Sequence, residues 1–397
     1  MTKADEWIRS FAERHINEII VAALFILSVL LRITLAPKTS WSGDYLYCIA
    51  PWVDRYRELG AAAGLSQEIT NYYIPYNVFL AFVSLFPMEP WVLVSILSCA
   101  AEYLGVYYAW KILTHLSGTG SWRTVYAALS LLFLPPMVLN GAFWKQCDAV
   151  YTAFALMALY YLLCDKYYRA FLFLSVAFVF KLQVILLFPL FFFAYFAGKR
   201  YCFLLWLRIP VTYLEAGLPA IICGRDPKEV YSVYLNQSGE YHFMFLNTGN
   251  IHRLFRSDYA ALSTAAILMT AVFLVFWLGY LYRYRERMGN ERLLQLAGVT
   301  GYACFLFLPA MHERYDYLPL CLVTLYYAYY DRKRLFIPAM MTGVTTVMYC
   351  EYLFGGNTLP EEVYAMIGLA ACALAGRDLV NALKTGNRRE QYVDQDQ

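Results

Sequence analysis

Long apolar runs alternate with short polar and charged clusters along this chain. About 20 apolar residues suffice to cross a bilayer as a helix at roughly 1.5 Å per residue. The pattern predicts spans over 16–36, 91–111, 124–140, 149–164, 170–182, 184–197, 201–222, 259–282, 293–311, 316–330, 335–353 and 362–382. Twelve such spans predict an all-α, polytopic membrane bundle forming one integral membrane domain over 1–397. The charged stretch 1–15 runs straight into the first span without a cleavage pattern, so that span is read as an uncleaved helix.

Two stretches depart from the simple pattern. Residues 71–87 are apolar but short and contain Pro75, so they are expected as a helix in the outer leaflet. They belong to a long first outer loop over 37–90, in which 52–59 has the spacing of an amphipathic surface helix. The spans 170–182 and 184–197 are also short, and they meet at Lys181, Leu182 and Gln183. Irregular backbone at membrane depth is tolerated where it lines a polar cavity, so this turn is expected to line one.

Charge fixes the expected orientation. Nineteen Lys and Arg residues fall on one side of the predicted bundle and ten on the other, with three inside spans. The richer side holds Arg283, Arg285, Arg287 and Arg292, Arg332, Lys333 and Arg334, and a tail over 383–397 with Lys384, Arg388 and Arg389. The positive-inside rule makes that side cytoplasmic, with both termini inside a cell membrane.

Composition narrows the class further. The chain is 60% hydrophobic and 15% charged, with a mean hydropathy of +0.46. A soluble chain carries about 25% charge, so too few polar residues remain here to cover soluble domains. The net charge of +3 and the lack of a basic, aromatic-interleaved tract argue against nucleic acid. None of the ten cysteines forms a Cys-x-x-Cys pair, and most lie in apolar runs where Cys behaves as a small hydrophobe.

Polar residues on the predicted outer face fall into six groups, scattered in sequence. They are Ser42, Gly43, Asp44 and Tyr45; Tyr72 to Tyr76; Trp144 to Asp148; Phe180 to Gln183; Asn247 to Arg253; and His312, Glu313, Arg314 and Tyr315. Taken singly, Asp44 reads as a solvated loop carboxylate, Trp144 as an interfacial aromatic and Lys181 as a side chain reaching for headgroups. Their convergence on one face, with three ionisable residues at 312–314 between apolar runs, points to a site.

These groups resemble the motifs of membrane-embedded GT-C glycosyltransferases, most of all the bacterial relatives of the mannosyltransferase that adds the second mannose to glycosylphosphatidylinositol. Those proteins carry an Asp in the first outer loop, a Tyr-Pro-Pro-like stretch, Trp-Gly-Gln-x-Asp, Phe-Lys-x-Gln and His-Glu-Arg-Tyr. The matching positions are Asp44; Tyr73 and Pro75; Trp144, Gln146 and Asp148; Phe180, Lys181 and Gln183; and His312 to Tyr315. The resemblance spans about 40 to 330, with Lys145 in place of the usual Gly and Ile74 in place of one Pro.

The resemblance implies transfer of mannose or another hexose from a polyprenyl-phosphate donor to a glycolipid, wall polymer or protein on the outer face, with inversion. Such chemistry needs a base for the acceptor hydroxyl and cations for the departing phosphate. On this reading Asp44 is the base, and Arg314, with a fork that grips two oxygens, leads His312 and Lys181 in binding phosphate. Glu313 and Gln183 orient them, while Asp148, Gln146, Trp144, Tyr73, Asn247, Asn250 and Arg253 bind sugar or acceptor. No metal or other cofactor is assigned, although Asp44, Asp148 and Glu313 offer the oxygen ligands that Mg and Mn prefer.

Two rival classes fit the same span pattern. A lipid-linked sugar flippase or transporter would show internal repeats and midplane charges, and neither is evident between the halves. A surface-polysaccharide polymerase or ligase would carry a large outer loop late in the chain, whereas the longest outer loop here is the first.

Overall fold

A pair of prolines breaks one of the long apolar runs into two helices. The computed structural model describes residues 2–240, 242–255 and 258–385. Among them it is almost wholly helical, with eighteen α-helices and one parallel bridge between Phe245–Leu246 and Met311–His312. Helices occupy each of the twelve predicted span positions. Arg256, Arg388 and Arg389, which entered the charge count, and the tail beyond 385 lie outside the described residues.

Among the described residues, five helices are long and apolar enough to cross a membrane: Ile16–Leu35, Pro90–Ser117, Phe203–Ile222, Tyr259–Tyr282 and Glu361–Thr385. The predicted span 124–140 is not one straight helix. Its two parts, Trp122–Phe133 and Pro135–Phe143, meet at 58°. Pro135 and Pro136 supply no N–H, and the residue before them, Leu134, is extended (φ −65°, ψ 123°) as a preceding residue must be. Asp148–Leu163, Tyr167–Phe180 and Leu182–Phe196 are apolar but shorter.

At the centre, Asp148–Leu163 lies between Pro90–Ser117 and Tyr167–Phe180. A second group joins Asn290–Phe307 to Tyr317–Tyr330 and Glu361–Thr385. Gly298 permits the close approach of Asn290–Phe307 to Tyr317–Tyr330, because a Cβ there would lie 2.9 Å from the backbone N of Val323. Ile16–Leu35 is tied to this core by a buried ion pair, Arg32 Nε to Glu102 Oε2 at 2.5 Å. Arg32 also donates to the carbonyls of Ser28 and Leu132, both at 3.1 Å, so the buried guanidinium is held on several sides.

The first loop folds as expected into short helices. Ala50–Leu59 buries Val53 and Tyr56 and turns its charges outward. Ile74–Val83 buries one face and exposes Val78 and Phe82 on the other. Tyr56 donates to Asn77 Oδ1 at 2.9 Å and locks the two together. Two helices were not foreseen. Lys3–Arg14 is amphipathic, opened by a reciprocal Thr2–Asp5 capping box. Pro227–Glu240, with Pro at its first position, packs on Arg208–Ile222 through Val230 and Val233.

Candidate functional site

The six polar groups meet around one cavity of about 500 Å³. Each contributes to its wall: Asp44; Tyr72 and Tyr73; Gln146; Phe180, Lys181 and Gln183; Asn247; and His312, Arg314 and Tyr315. An apolar side, with Ile185, Leu186, Ile267 and Leu308, continues the same cavity towards the exposed helix Tyr259–Tyr282.

Asp44 sits where the first loop begins its helical course, just before a π-helical turn at Tyr45–Ile49. A second π-turn, Leu139–Phe143, ends at Trp144, whose N–H reaches the Leu139 carbonyl at 2.8 Å. Single π-turns are uncommon and recur at functional sites. The buried Ser42 staples the two together: its Oγ donates to the Trp144 carbonyl at 2.7 Å and caps Tyr45 N at 3.1 Å. Ser98 Oγ likewise holds the Gln146 carbonyl at 2.7 Å.

This scaffold surrounds Asp44 with donors. Oδ2 accepts from Trp144 Nε1 at 3.1 Å and from Gln146 Nε2, while Oδ1 accepts from Tyr352 Oη at 2.9 Å. Trp144 is fully buried behind the carboxylate, with Tyr352 tilted against it at 4.8 Å and Tyr349 edge-on at 5.0 Å. Tyr72 Oη donates to Gln146 Oε1 at 3.3 Å, which fixes the amide so that its nitrogen faces Asp44.

Beside it lies a charge cluster. Asp148, fully buried, accepts from Lys181 Nζ at 2.6 Å and from Asn140 Nδ2 at 3.0 Å. Arg314 donates to Glu313 Oε1 at 3.1 Å, stands 3.9 Å from Asp148 Oδ2 and lies 5.2 Å over the Trp144 ring. Lys181 is extended (φ −158°, ψ 130°), so the expected break between two short helices aims an ammonium inward. Burial pushes the Glu313 carboxyl up to about 7 against the pull of Arg314. Burial, with Arg314 and Lys181 nearby, holds His312 well below its ordinary range, so its imidazole is neutral.

Several predicted residues take other places. Asp148 and Trp144, expected on sugar or acceptor, stand instead beside Glu313 in the layer behind the wall, where they hold Lys181 and Asp44. Asn250 and Arg253 are turned away from the cavity. Asn250 Oδ1 caps His252 N at 3.2 Å, and its Nδ2 reaches the Met244 carbonyl at 3.4 Å. Arg253 donates to the Thr248 carbonyl and pairs with Glu361 at 2.5 Å. Asn250 braces the loop internally and Arg253 ties it to the start of Glu361–Thr385, which is why they are polar yet buried. Tyr73 lines the cavity, but its hydroxyl is used on the Tyr213 carbonyl at 2.5 Å. Lys145 does not add charge to the cavity. It is fully buried and donates to the Ala142 and Phe143 carbonyls, and burial lowers its ammonium to about 8. Its φ of 70° explains why glycine suits that position.

The sequence reading missed Tyr352, Asn140, Tyr234 and Gln237. Tyr352 and Asn140 lie in apolar runs. Tyr234 and Gln237 reach the cavity from Pro227–Glu240, where Val230, Val233, Tyr234 and Gln237 follow helical spacing after Asp226 and Pro227. No group of three or more His, Cys, Asp and Glu with metal-binding geometry occurs among the described residues. No protein-family model matches the chain, and no curated protein matches it.

Proposed function

We propose that this chain is a multi-pass membrane glycosyltransferase that moves a hexose from a polyprenyl-phosphate donor to an acceptor on the outer face, with inversion. The observation that carries the reading is a carboxylate, Asp44, sharing one cavity wall with Lys181 and Arg314 while the other side of the cavity is apolar. A sugar transfer from a lipid phosphate needs all three: a base, cations for the leaving phosphate and a greasy path for the tail.

Membrane residence is supported by the five apolar helices and by the exposed Leu, Ile, Phe and Val on Ile16–Leu35 and Tyr259–Tyr282. The proposed topology has twelve spans, broken ones included, both termini inside and the 37–90 loop outside. Asp44 accepts the hydroxyl proton. Arg314 and Lys181 hold the phosphate, and His312 offers a neutral N–H. Trp144 and Gln146 fix Asp44, and Gln146, Gln183 and Asn247 contact sugar hydroxyls.

The test is transfer by purified protein in detergent. Radiolabelled polyprenyl-phosphate-mannose, and in parallel the glucose form, are offered to a membrane lipid extract, with Asp44→Asn as control. Label that moves to a new lipid or polymer with wild type and stays on the donor with Asp44→Asn supports the reading. Transfer unaffected by Asp44→Asn removes the base assignment. Label released equally by both, with none transferred, turns the reading towards a lipid-sugar transporter.

A further inference from the structure

The two oxygens of Asp44 are not equivalent, and the difference comes from a residue that none of the polar motifs contains. A carboxylate offers about four lone-pair positions, two on each oxygen. Oδ2 receives Trp144 Nε1 and Gln146 Nε2, so both its positions are taken. Among the described residues Oδ1 receives only Tyr352 Oη, at 2.9 Å, and so keeps one position. Asp44 and Tyr352 both line the cavity, while Trp144 is buried behind them.

We infer that Tyr352 is a positioning residue, whose hydroxyl fixes the rotation of the Asp44 carboxylate and leaves the second lone pair of Oδ1 as the site that takes the acceptor's proton. The inference rests on the glycosyltransferase reading. In the step it serves, the acceptor O–H bond breaks as Oδ1–H forms. The acceptor oxygen bonds the anomeric carbon, and the bond from that carbon to the phosphate oxygen leaves with its electron pair on the phosphate.

Tyr352 is well placed to hold such an angle. Its ring packs tilted, 31° from coplanar, on Trp144 at 4.8 Å, which is itself wedged against Tyr349. It lies in the last turn of Phe336–Phe354, and that end is tied down by Phe354, packed on Trp41 and Phe143, both at 5.5 Å. Asn140 Nδ2 bridges the same helix to the charge cluster, through Tyr349 Oη at 3.3 Å and Asp148 at 3.0 Å. The charged groups facing Asp44 are Arg314 and Glu313, with Lys181 and Asp148 beyond them, and removing the Tyr352 hydroxyl leaves all four in place.

Tyr352→Phe keeps the ring packed on Trp144 and deletes the hydroxyl, so it separates orientation from packing. A hydrogen bond to a carboxylate favours its ionised form. The expected result is a kcat lowered about tenfold or more, an unchanged KM for the lipid donor, and an acidic limb of kcat/KM shifted to higher pH. Tyr352→3-fluorotyrosine, a stronger donor of nearly the same shape, shifts that limb the other way. A slowed Tyr352→Phe enzyme whose pH profile stays in place while its thermal midpoint falls overturns the inference, because the hydroxyl then serves packing alone. Wild-type kinetics in Tyr352→Phe overturn it as well and leave the glycosyltransferase reading intact. Absence of transfer by the wild type itself removes both.

Discussion

The ammonium of Lys181 stands 2.6 Å from Oδ1 of Asp148, a carboxylate with no exposed surface. One residue ends a short helix and the other begins the most central one, so the pair fastens the wall of the cavity to the core. Breaking such a pair leaves an uncompensated buried charge and costs roughly 3–5 kcal/mol. Lys181→Met is expected to lower the thermal midpoint in detergent sharply. Lys181→Met combined with Asp148→Asn should recover much of that loss while transfer stays abolished. A double variant no more stable than Lys181→Met would show that the coupling is weak.

Glu313 predicts a pH dependence with a definite sign. Its folded value, about 7, lies above its ordinary 4.5. Between those values the folded state binds more protons than the unfolded one, so this group makes stability fall as pH rises from about 4.5 to about 7, and level off above. Glu313→Gln should flatten that slope in thermal unfolding. The same carboxylate, once ionised, competes with a phosphate for Arg314. Donor KM should therefore rise as pH passes about 7 in wild type and change little in Glu313→Gln.

Arg314 meets Glu313 and Asp148 on one side and lines the cavity on the other, which a guanidinium can do and a single ammonium cannot. Arg314→Lys is expected to lower kcat/KM for the lipid donor by roughly ten- to a hundredfold, about 1.4–2.8 kcal/mol in the barrier. Steady-state kinetics at several donor concentrations check this, and an unchanged value would remove Arg314 from phosphate binding.

Arg253 should behave in the opposite manner. Its partners are the Thr248 carbonyl and Glu361, which is 56% exposed and can return to water. Arg253→Met therefore leaves mainly an unmet carbonyl, at a cost of roughly 1–3 kcal/mol. The thermal midpoint should drop, while turnover per folded molecule stays at the wild-type level. Loss of turnover without loss of stability would return Arg253 to the acceptor side.

The helix positions were legible because apolar run length is a direct physical signal, and Lys181 was legible because an ammonium between two short apolar runs needs a partner. What escaped follows from the same logic. Pro135 and Pro136 sit inside an apolar run whose hydropathy hides the bend they cause. Tyr352 looks like any tyrosine near a helix end, and only the fold brings it to Asp44, 308 positions earlier. Asn250 and Arg253 carried a true polar signal, but its purpose is to anchor a loop, and a sequence does not distinguish an anchor from a ligand. Lys145 stood out only as a departure from the usual Gly, because its backbone, at φ 70°, and its carbonyl partners are invisible in one dimension.

The two π-turns at Tyr45–Ile49 and Leu139–Phe143 each hold one residue more than an α-helical turn, the first inside a helical course and the second at the end of one. Removing that surplus would let either segment relax into a regular helix and cost it little. It would also turn everything on one side of the deletion by about 100° and draw it in by about 1.5 Å. Asp44 lies just before the first turn and Trp144 just after the second, so a single codon deleted at Leu46 or Tyr47, or within the second turn, would swing one of this hydrogen-bonded pair off the other without removing any residue of the cavity wall. The reading frame of these two helices is thus as much a determinant of the site as the side chains themselves.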